Sequence, residues 1–440
     1  PKDSHFDFAC ENDCTLHGAL GVSFNHWLFS FLLDAVPIPP SWTVSLAERV
    51  SCVFQDKKPK TLKDALFLLA NRLFLALPFP HLKGISISQS LRFSLALSHQ
   101  SEGDDHSQPV ATASDYEALN ELALPCDPYP LFQMALPRSL KNLMHPKTIK
   151  KTKKPHSRCA SIKAYEDASY RQRLALFRAK GNRLFFVQHG GNYGQIRKAC
   201  LTAMVEYTQH AFLSWGWKQH DTDTDCVYPL PYPQLARIRN AWHKKSETLL
   251  FVGTEMPLFG YRLDAHPSPL QIVAYREAKR RFLTHLPDNL RNKLSYRPYF
   301  SVPSCLRDAE WLRRFFPMLS LCTGPLTEHM LGCSLLILDH HGTTLLEAMA
   351  ANVPTVLFWQ KDHWPLTTDC EAMLARFEKV GIFHETPEQA AAHIKAIWPH
   401  TLDWWQKNEV QAARMAFCHD YARIQKENED RLWIECLQKL

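Results

Sequence analysis

Residues Ser334–Trp359 read SLLILDHHGTTLLEAMAANVPTVLFW. Leu335 to Leu338 is an unbroken apolar run, the pattern of a strand covered on both faces, so a strand is expected over Ser334–Asp339. Gly342 permits a turn, and a helix is expected over Thr344–Ala351, with Thr343 or Thr344 as its cap. A second apolar strand follows at Pro354–Trp359. The free N–H groups and positive dipole end of the helix then face the loop Asp339–Thr344, which makes the loop a candidate anion site. Glu347 lies three residues beyond Thr344, the spacing of a capping box. Its carboxylate is alternatively placed to accept hydrogen bonds from ribose hydroxyls one helical turn in from a phosphate.

The same texture extends upstream. Strands are expected at Arg183–Gln188 (RLFFVQ), Ala211–Trp215 and Thr248–Gly253, with helices at Tyr165–Lys180, Ile272–Leu286 and Asp308–Phe316. Strands separated by helices imply parallel sheets, which bind ligands outside the carboxyl ends of their strands. Gln188–Gly194 (QHGGNYG) stands at such an end, with three of the chain's 15 glycines inside five residues. His189 there is a candidate general base or phosphate contact, or else the structural histidine of a tight turn. Glu206, in MVEYTQHAFLSWGW, is a second candidate acid or base, or a solvated helix carboxylate. Arg297, in YRPYF at the end of an expected strand, is a candidate partner for a phosphate or a sugar carboxylate, or a surface arginine.

The chain has 440 residues, 45% of them hydrophobic, and a net charge of +7 from 51 basic and 44 acidic residues. That is room for about three domains and too apolar for disorder over most of its length. Arg138–Arg158 holds eight basic residues and no acidic one, which leaves 43 basic against 44 acidic elsewhere. A nucleic-acid-binding protein using this stretch is a weaker reading, because the run is short and lacks interleaved aromatics. Thirteen scattered cysteines in so long a chain suit a reducing compartment. The chain begins at Pro1 without a Met, so an upstream segment is an open expectation. Trp27–Leu33 and Ala65–Pro78 are apolar but too short or interrupted to span a bilayer. Asp221, Asp223 and Asp225 read as a solvated acidic loop, and the spacing of His5, Cys10, Cys14 and His17 fits no common zinc finger. No Walker motif or GxSxG elbow is present.

QHGGNYG, LSWGW (Leu213–Trp217), HGTTLLEAMAANVPTVLFWQKDHWPL (His341–Leu366) and GIFHETPEQAAAHI (Gly381–Ile394) together resemble the LIC12162 family of transferases, and the helix-strand unit resembles the donor-binding half of GT-B glycosyltransferases. The likeness runs from Asn182 to Arg423 and is faint before residue 150, at LHGALGVSFNHW (Leu16–Trp27). It implies an α/β, GT-B-like chain with two Rossmann-like domains facing a cleft and a largely helical N-terminal region. The expected parts are a helical region 1–115, a basic linker 116–160, an acceptor domain 161–243, a donor-binding domain 244–403 and C-terminal helices 404–440 packing back across the domains.

The resemblance implies a glycosyltransferase that needs no metal or other cofactor and uses a nucleotide sugar and a glycan or lipid-linked acceptor in bacterial surface polysaccharide synthesis. His189 and Glu206 would be catalytic. Gly190, Gly191, Asn192, Tyr193, Arg297, His341, Gly342, Thr343, Thr344 and Glu347 would bind the donor. A CMP-activated acidic sugar such as Kdo is slightly preferred, since it would suit Arg297 and the His340–His341 pair. A sugar-nucleotide epimerase or hydrolase of the same fold is the alternative. The expected location is cytoplasmic, peripheral on the inner face of the inner membrane, with Arg138–Arg158 either resting on anionic headgroups or serving as a solvated linker.

Overall fold

The computed structural model describes residues 77–79, 85–98, 154–166, 168–197, 205–218, 226–256, 267–268, 270–298, 305–425 and 429–440. Most of the expected helical region 1–115, the basic run up to Lys153, the Asp221–Asp225 loop and the cysteines near the N-terminus lie outside the described residues.

The first sheet has the order β1-β2-β3-β4, formed by β1 (Ser157–Ala160), β2 (Arg183–Val187), β3 (Ala211–Ser214) and β4 (Val227–Pro229), and every pair is parallel. Ser157–Ala160, which the sequence placed at the end of the basic linker, is thus an edge strand. The second sheet is built from β5 (Leu249–Gly253), β6 (Leu294–Pro298), β7 (Ser320–Leu321), β8 (Leu335–Leu338), β9 (Thr355–Phe358) and β10 (Phe383–His384). Its order is β10-β9-β8-β5-β6-β7, again all parallel. β5, β8 and β9 are buried at every position, which is why they read as continuous apolar runs. These are the two Rossmann-like units expected from the sequence.

The second sheet has a topological switch point between β5 and β8: the chain runs outward through β6 and β7, then returns to lay β8 on the other side of β5. Crevices outside the carboxyl ends of strands at such a reversal are where open α/β sheets bind ligands. Thr254 follows β5 and Asp339 follows β8, and the Thr254 N–H donates to Asp339 Oδ1 across the reversal at 3.0 Å.

Longer helices include α1 (Ile87–Ser98), α2 (Ala168–Ala179), α3 (Ile272–His285), α4 (Thr343–Ala351), α5 (Thr368–Lys379), α6 (Pro387–Ile397), α7 (Asn408–Tyr421) and α8 (Glu429–Lys439). Tyr165–Lys180, expected as one helix, is a short turn at Lys163–Glu166 followed by α2. α4 is buried at every position from Thr344 to Ala351. Its last carbonyls are met from elsewhere in the chain: Asn240 and Trp242 donate their N–H groups to Ala350 and Ala351, and Arg414 of α7 donates at 2.7 Å to the Met349 carbonyl, which also accepts the Asn352 N–H.

The chain then returns to the first sheet. The Arg423 N–H donates to the Trp215 carbonyl at 2.7 Å, and Arg183 of β2 donates to the Leu440 carbonyl at 3.1 Å. Trp433 of α8, fully buried, stacks on Phe93 of α1 at 5.3 Å, meets Phe79 edge-on at 5.7 Å and donates its indole N–H to the Pro231 carbonyl.

Candidate functional site

β2 delivers its carboxyl end directly into Gln188–Gly194. Gln188 is buried and shapes the loop: its Oε1 accepts the Trp215 N–H and the Trp217 indole N–H, both at 2.9 Å, and its Nε2 donates to the Gly190 carbonyl at 2.7 Å. The loop closes through left-handed residues Asn192 (φ 75°) and Gly194 (φ 70°). A Cβ on Gly194 would lie 2.3 Å from the Trp217 ring, so only glycine fits there. His189 is held out of this turn with its side chain 17% exposed, while the Glu206 side chain is fully buried beside it, Oε1 to Nδ1 3.7 Å. The Tyr193 hydroxyl lies 2.8 Å from Nδ1 and 3.1 Å from Nε2. Burial first, and the Glu206 carboxylate next, push the Tyr193 phenol well above its usual range.

The facing loop leaves β8 at Asp339 and enters α4. Its N-cap is Gly342, without a side-chain cap, and φ there is 162°, extended backbone that any residue adopts. Neither the threonine cap nor the Glu347 capping box expected from the sequence forms. Thr343 Oγ1 instead accepts the Gly191 N–H at 2.9 Å, and Glu347 Oε1 accepts from Gln234 Nε2 at 2.9 Å. The two loops touch through backbone: a Cβ on Gly191 would lie 2.2 Å from the Gly342 carbonyl carbon. Gly191 is therefore required by its approach to the other loop, and the helix N-terminus is overlain by the Gly190–Gly191 peptide. The seam continues in the Ile196–Leu366 bridge, the Arg197 N–H to Pro365 carbonyl bond at 2.7 Å and the Thr367 N–H to Gln195 carbonyl bond at 2.8 Å.

His340 and His341 diverge. His340 Nδ1 is 2.9 Å from Asp339 Oδ1, whereas His341 is buried between Trp364 (4.7 Å) and Trp359 (5.8 Å), with Nδ1 3.2 Å from Gln195 Oε1. Arg297 is directed to the far side of β6, where Nη1 is 3.8 Å from Cys322 Sγ.

Beneath the switch point lies a buried charge cluster. Lys279 of α3 is fully buried and its ammonium reaches Asp308 Oδ2 (2.5 Å), Asp339 Oδ2 (3.4 Å) and the Thr254 carbonyl. Arg276 Nε bonds the other oxygen of Asp308 at 2.6 Å, and Glu255 accepts the Asp308 N–H. Burial pushes Asp339 up, but Lys279, His340 and the Thr254 N–H together outweigh it and hold the carboxyl below its usual range. Glu255 moves the other way, raised by burial and then by Asp308.

The family model for LIC12162 family transferases matches residues 1–437. The chain belongs to this family. The match extends well beyond the Asn182–Arg423 span in which the likeness is legible by eye. No curated protein matches the sequence. Among solved structures, the wall teichoic acid polymerase TagF aligns at 9% identity over 59% of this chain and 67% of that one, TM-score 0.30. The α,α-trehalose 6-phosphate synthase of Burkholderia multivorans aligns at 13% identity over 60% and 67%, TM-score 0.35. MurG of Acinetobacter baumannii aligns at 12% identity over 60% and 69%, TM-score 0.35.

In this LIC12162 family transferase the structure joins His189, Glu206 and Tyr193 into one group, and joins Gly190 and Gly191 to Gly342 and Thr343. It does not bring Arg297 to the seam, and it gives His341 a packed, enclosed place. Sequence reasoning missed Gln188 as the shaper of the loop, and Lys279 with its carboxylates. Lys279 did leave a signal: with Tyr275, Phe282 and Leu283 it occupies the buried stripe of α3, where a lysine breaks the apolar pattern. Among the described residues no group of three or more His, Cys, Asp or Glu is arranged to hold a metal, and no helix is long and apolar enough to cross a membrane.

Proposed function

We propose that this transferase moves a sugar from a nucleotide-activated donor to a hydroxyl of a glycan or lipid-linked acceptor in bacterial surface polysaccharide synthesis. One observation carries the reading. The loop that carries a partly exposed histidine backed by a buried carboxylate, at the carboxyl end of a strand in the first sheet, meets through Gly191 a helix N-terminus at the carboxyl end of a strand in the second. Transfer needs those two parts: a base for the acceptor proton and fixed dipoles for the leaving phosphate.

His189 takes the acceptor hydroxyl proton as the new C–O bond forms at the anomeric carbon, and the bond from that carbon to the donor phosphate breaks with its electron pair leaving on the nucleotide. The phosphate is received by the Thr343 hydroxyl and the amides at the start of α4 once the Gly190–Gly191 peptide, whose Gly191 N–H now donates to Thr343 Oγ1, lifts away. A ribose reaching Glu347 exchanges places with Gln234.

The donor nucleotide is assigned to CMP, with an acidic sugar such as Kdo. Neither Arg297 nor His341 supports that choice, because their contacts are to Cys322 and to Gln195 with two tryptophans. It rests on the pathway resemblance. Thermal unfolding in parallel with CMP, UDP, GDP and dTDP tests it, since a ligand present at 100 times its Kd stabilises the native state by about 2.7 kcal/mol. CMP is expected to give the largest shift, a larger shift with another nucleotide reassigns the donor, and no shift with any sinks the reading of a nucleotide-sugar donor. Turnover of the nucleotide sugar without acceptor would favour the epimerase or hydrolase.

The reading includes a peripheral position, with Arg138–Arg158 on anionic headgroups. Replacing its lysines by Gln is expected to weaken binding to phosphatidylglycerol vesicles while leaving turnover of a soluble acceptor intact. Unchanged vesicle binding would remove this part.

A further inference from the structure

The sequence treats Tyr193 as a donor contact and Glu206 as an independent acid or base. Their placement gives both a different use. The Glu206 side chain is fully buried, so it meets no acceptor, and its nearest approach to His189 is to Nδ1, 3.7 Å, outside hydrogen-bond reach. The Tyr193 hydroxyl is within reach of both ring nitrogens, 2.8 Å from Nδ1 and 3.1 Å from Nε2, and is nearer the nitrogen that Glu206 approaches. Its ring is fixed, stacked on Phe212 at 5.3 Å and set edge-on to His189 at 5.1 Å, while Tyr165 flanks the imidazole at 5.6 Å.

We infer that Glu206 and Tyr193 are positioning residues that hold His189 as its Nδ1–H tautomer, so that Nε2 exchanges its longer contact with the Tyr193 hydroxyl for the acceptor hydroxyl. This rests on the reading of His189 as the base.

The phenol has one proton to give, and it stays on the oxygen because burial and Glu206 disfavour phenolate. If that proton went to Nδ1, the hydroxyl lone pairs would face a buried carboxylate, which costs electrostatic energy in a poorly screened interior. With the O–H directed towards Glu206, a lone pair is left to accept the Nδ1–H, and the O–H and N–H dipoles align with the carboxylate charge. When Nε2 gains the acceptor proton, the imidazolium keeps the Nδ1 hydrogen bond and has Glu206 as its countercharge. A histidine in water prefers the other tautomer by a small margin, so the pair has only to tip a shallow balance.

The test uses the full chain labelled with ¹⁵N-histidine, the His189 signals being assigned by their loss in His189→Gln. In the neutral wild type, Nδ1 is expected at the shift of a protonated ring nitrogen and Nε2 at that of an unprotonated one. Tyr193→Phe and Glu206→Gln are expected to move the population towards Nε2–H and to lower kcat about 10- to 100-fold with KM nearly unchanged. Tyr193→Phe keeps the ring stacking, so it remains informative if the buried Glu206→Gln folds poorly. Neutral wild-type His189 found as the Nε2–H tautomer would overturn the inference, as would a Tyr193→Phe protein with unchanged tautomer and kcat. Near-normal turnover in His189→Gln would instead overturn the base assignment, while the ¹⁵N shifts still report on the positioning pair.

Discussion

His189→Ala is expected to abolish transfer, lowering kcat by about 10²- to 10⁴-fold, the range that a positioned general base contributes. Donor binding should survive. The His189 side chain projects from a loop whose shape is held by the hydrogen bonds of Gln188 to the Gly190 carbonyl, the Trp215 N–H and the Trp217 indole. Truncation at Cβ therefore removes the base and leaves the Gly190–Gly191 backbone and its approach to Gly342 in place. Steady-state kinetics with nucleotide titration separate the two effects. Near-normal kcat in the variant would mean that another group takes the proton, and loss of nucleotide binding with kcat would mean that His189 serves the donor instead.

The second large effect concerns stability. Lys279→Met keeps most of the side-chain volume in the stripe of α3 and removes the ammonium from Asp308 and Asp339, leaving Arg276 as the remaining cation on Asp308. Removing one partner from a buried ion pair strands charge in the interior and is expected to cost about 3–5 kcal/mol. The sign of its pH dependence follows from Asp339. In the native protein this carboxyl is held below its usual range, so its contribution is present above the unfolded value, about 3.9, and fades as pH falls through the folded one. Without Lys279 burial dominates and the carboxyl takes up a proton more readily, which removes the stranded charge. Denaturant unfolding should show the gap between wild type and variant widest near neutral pH and narrower in acid. A gap below about 1 kcal/mol, or one constant from neutral pH to pH 4, would show that the cluster does not depend on Lys279.

The parts of this structure that could be read in advance are those decided by neighbours in sequence. Leu335–Leu338 is buried on both faces and apolar throughout, and Asp339–Thr344 turns where a glycine and two threonines interrupt it, so strand, loop and helix were all legible. β1 was hidden because it is four residues long and Arg158 carries charge into it, and β4 and β10 because strands of three and two residues, one ending in Pro229, leave no periodicity to see. The site was legible as a set of loops and illegible as a set of partners. Nothing near Gly191 says that its amide will meet a threonine 152 positions later, and nothing near Glu206 says that it stands behind His189. The anion site at α4 was deduced from a helix end considered alone. Its present partner is another loop's backbone, a tertiary fact. The His340–His341 pair shows the same limit, since adjacent side chains leave the backbone in different directions and find unrelated neighbours.

The anchoring of α8 has a bearing on how the protein is made. Phe79 and Phe93 close around Trp433, and β2 is tied at Arg183 to the carbonyl of Leu440, 257 positions on, so α1 and the first sheet finish their packing with residues far downstream. Contacts of such separation form late, because a long loop must be closed before they reward the chain. During synthesis the N-terminal half leaves the ribosome with an aromatic socket open, and that socket stays open until the residues around Trp433 have been translated. The nascent half-protein is therefore the species most in need of a chaperone, and one whose premature release would expose Phe79 and Phe93 to other chains.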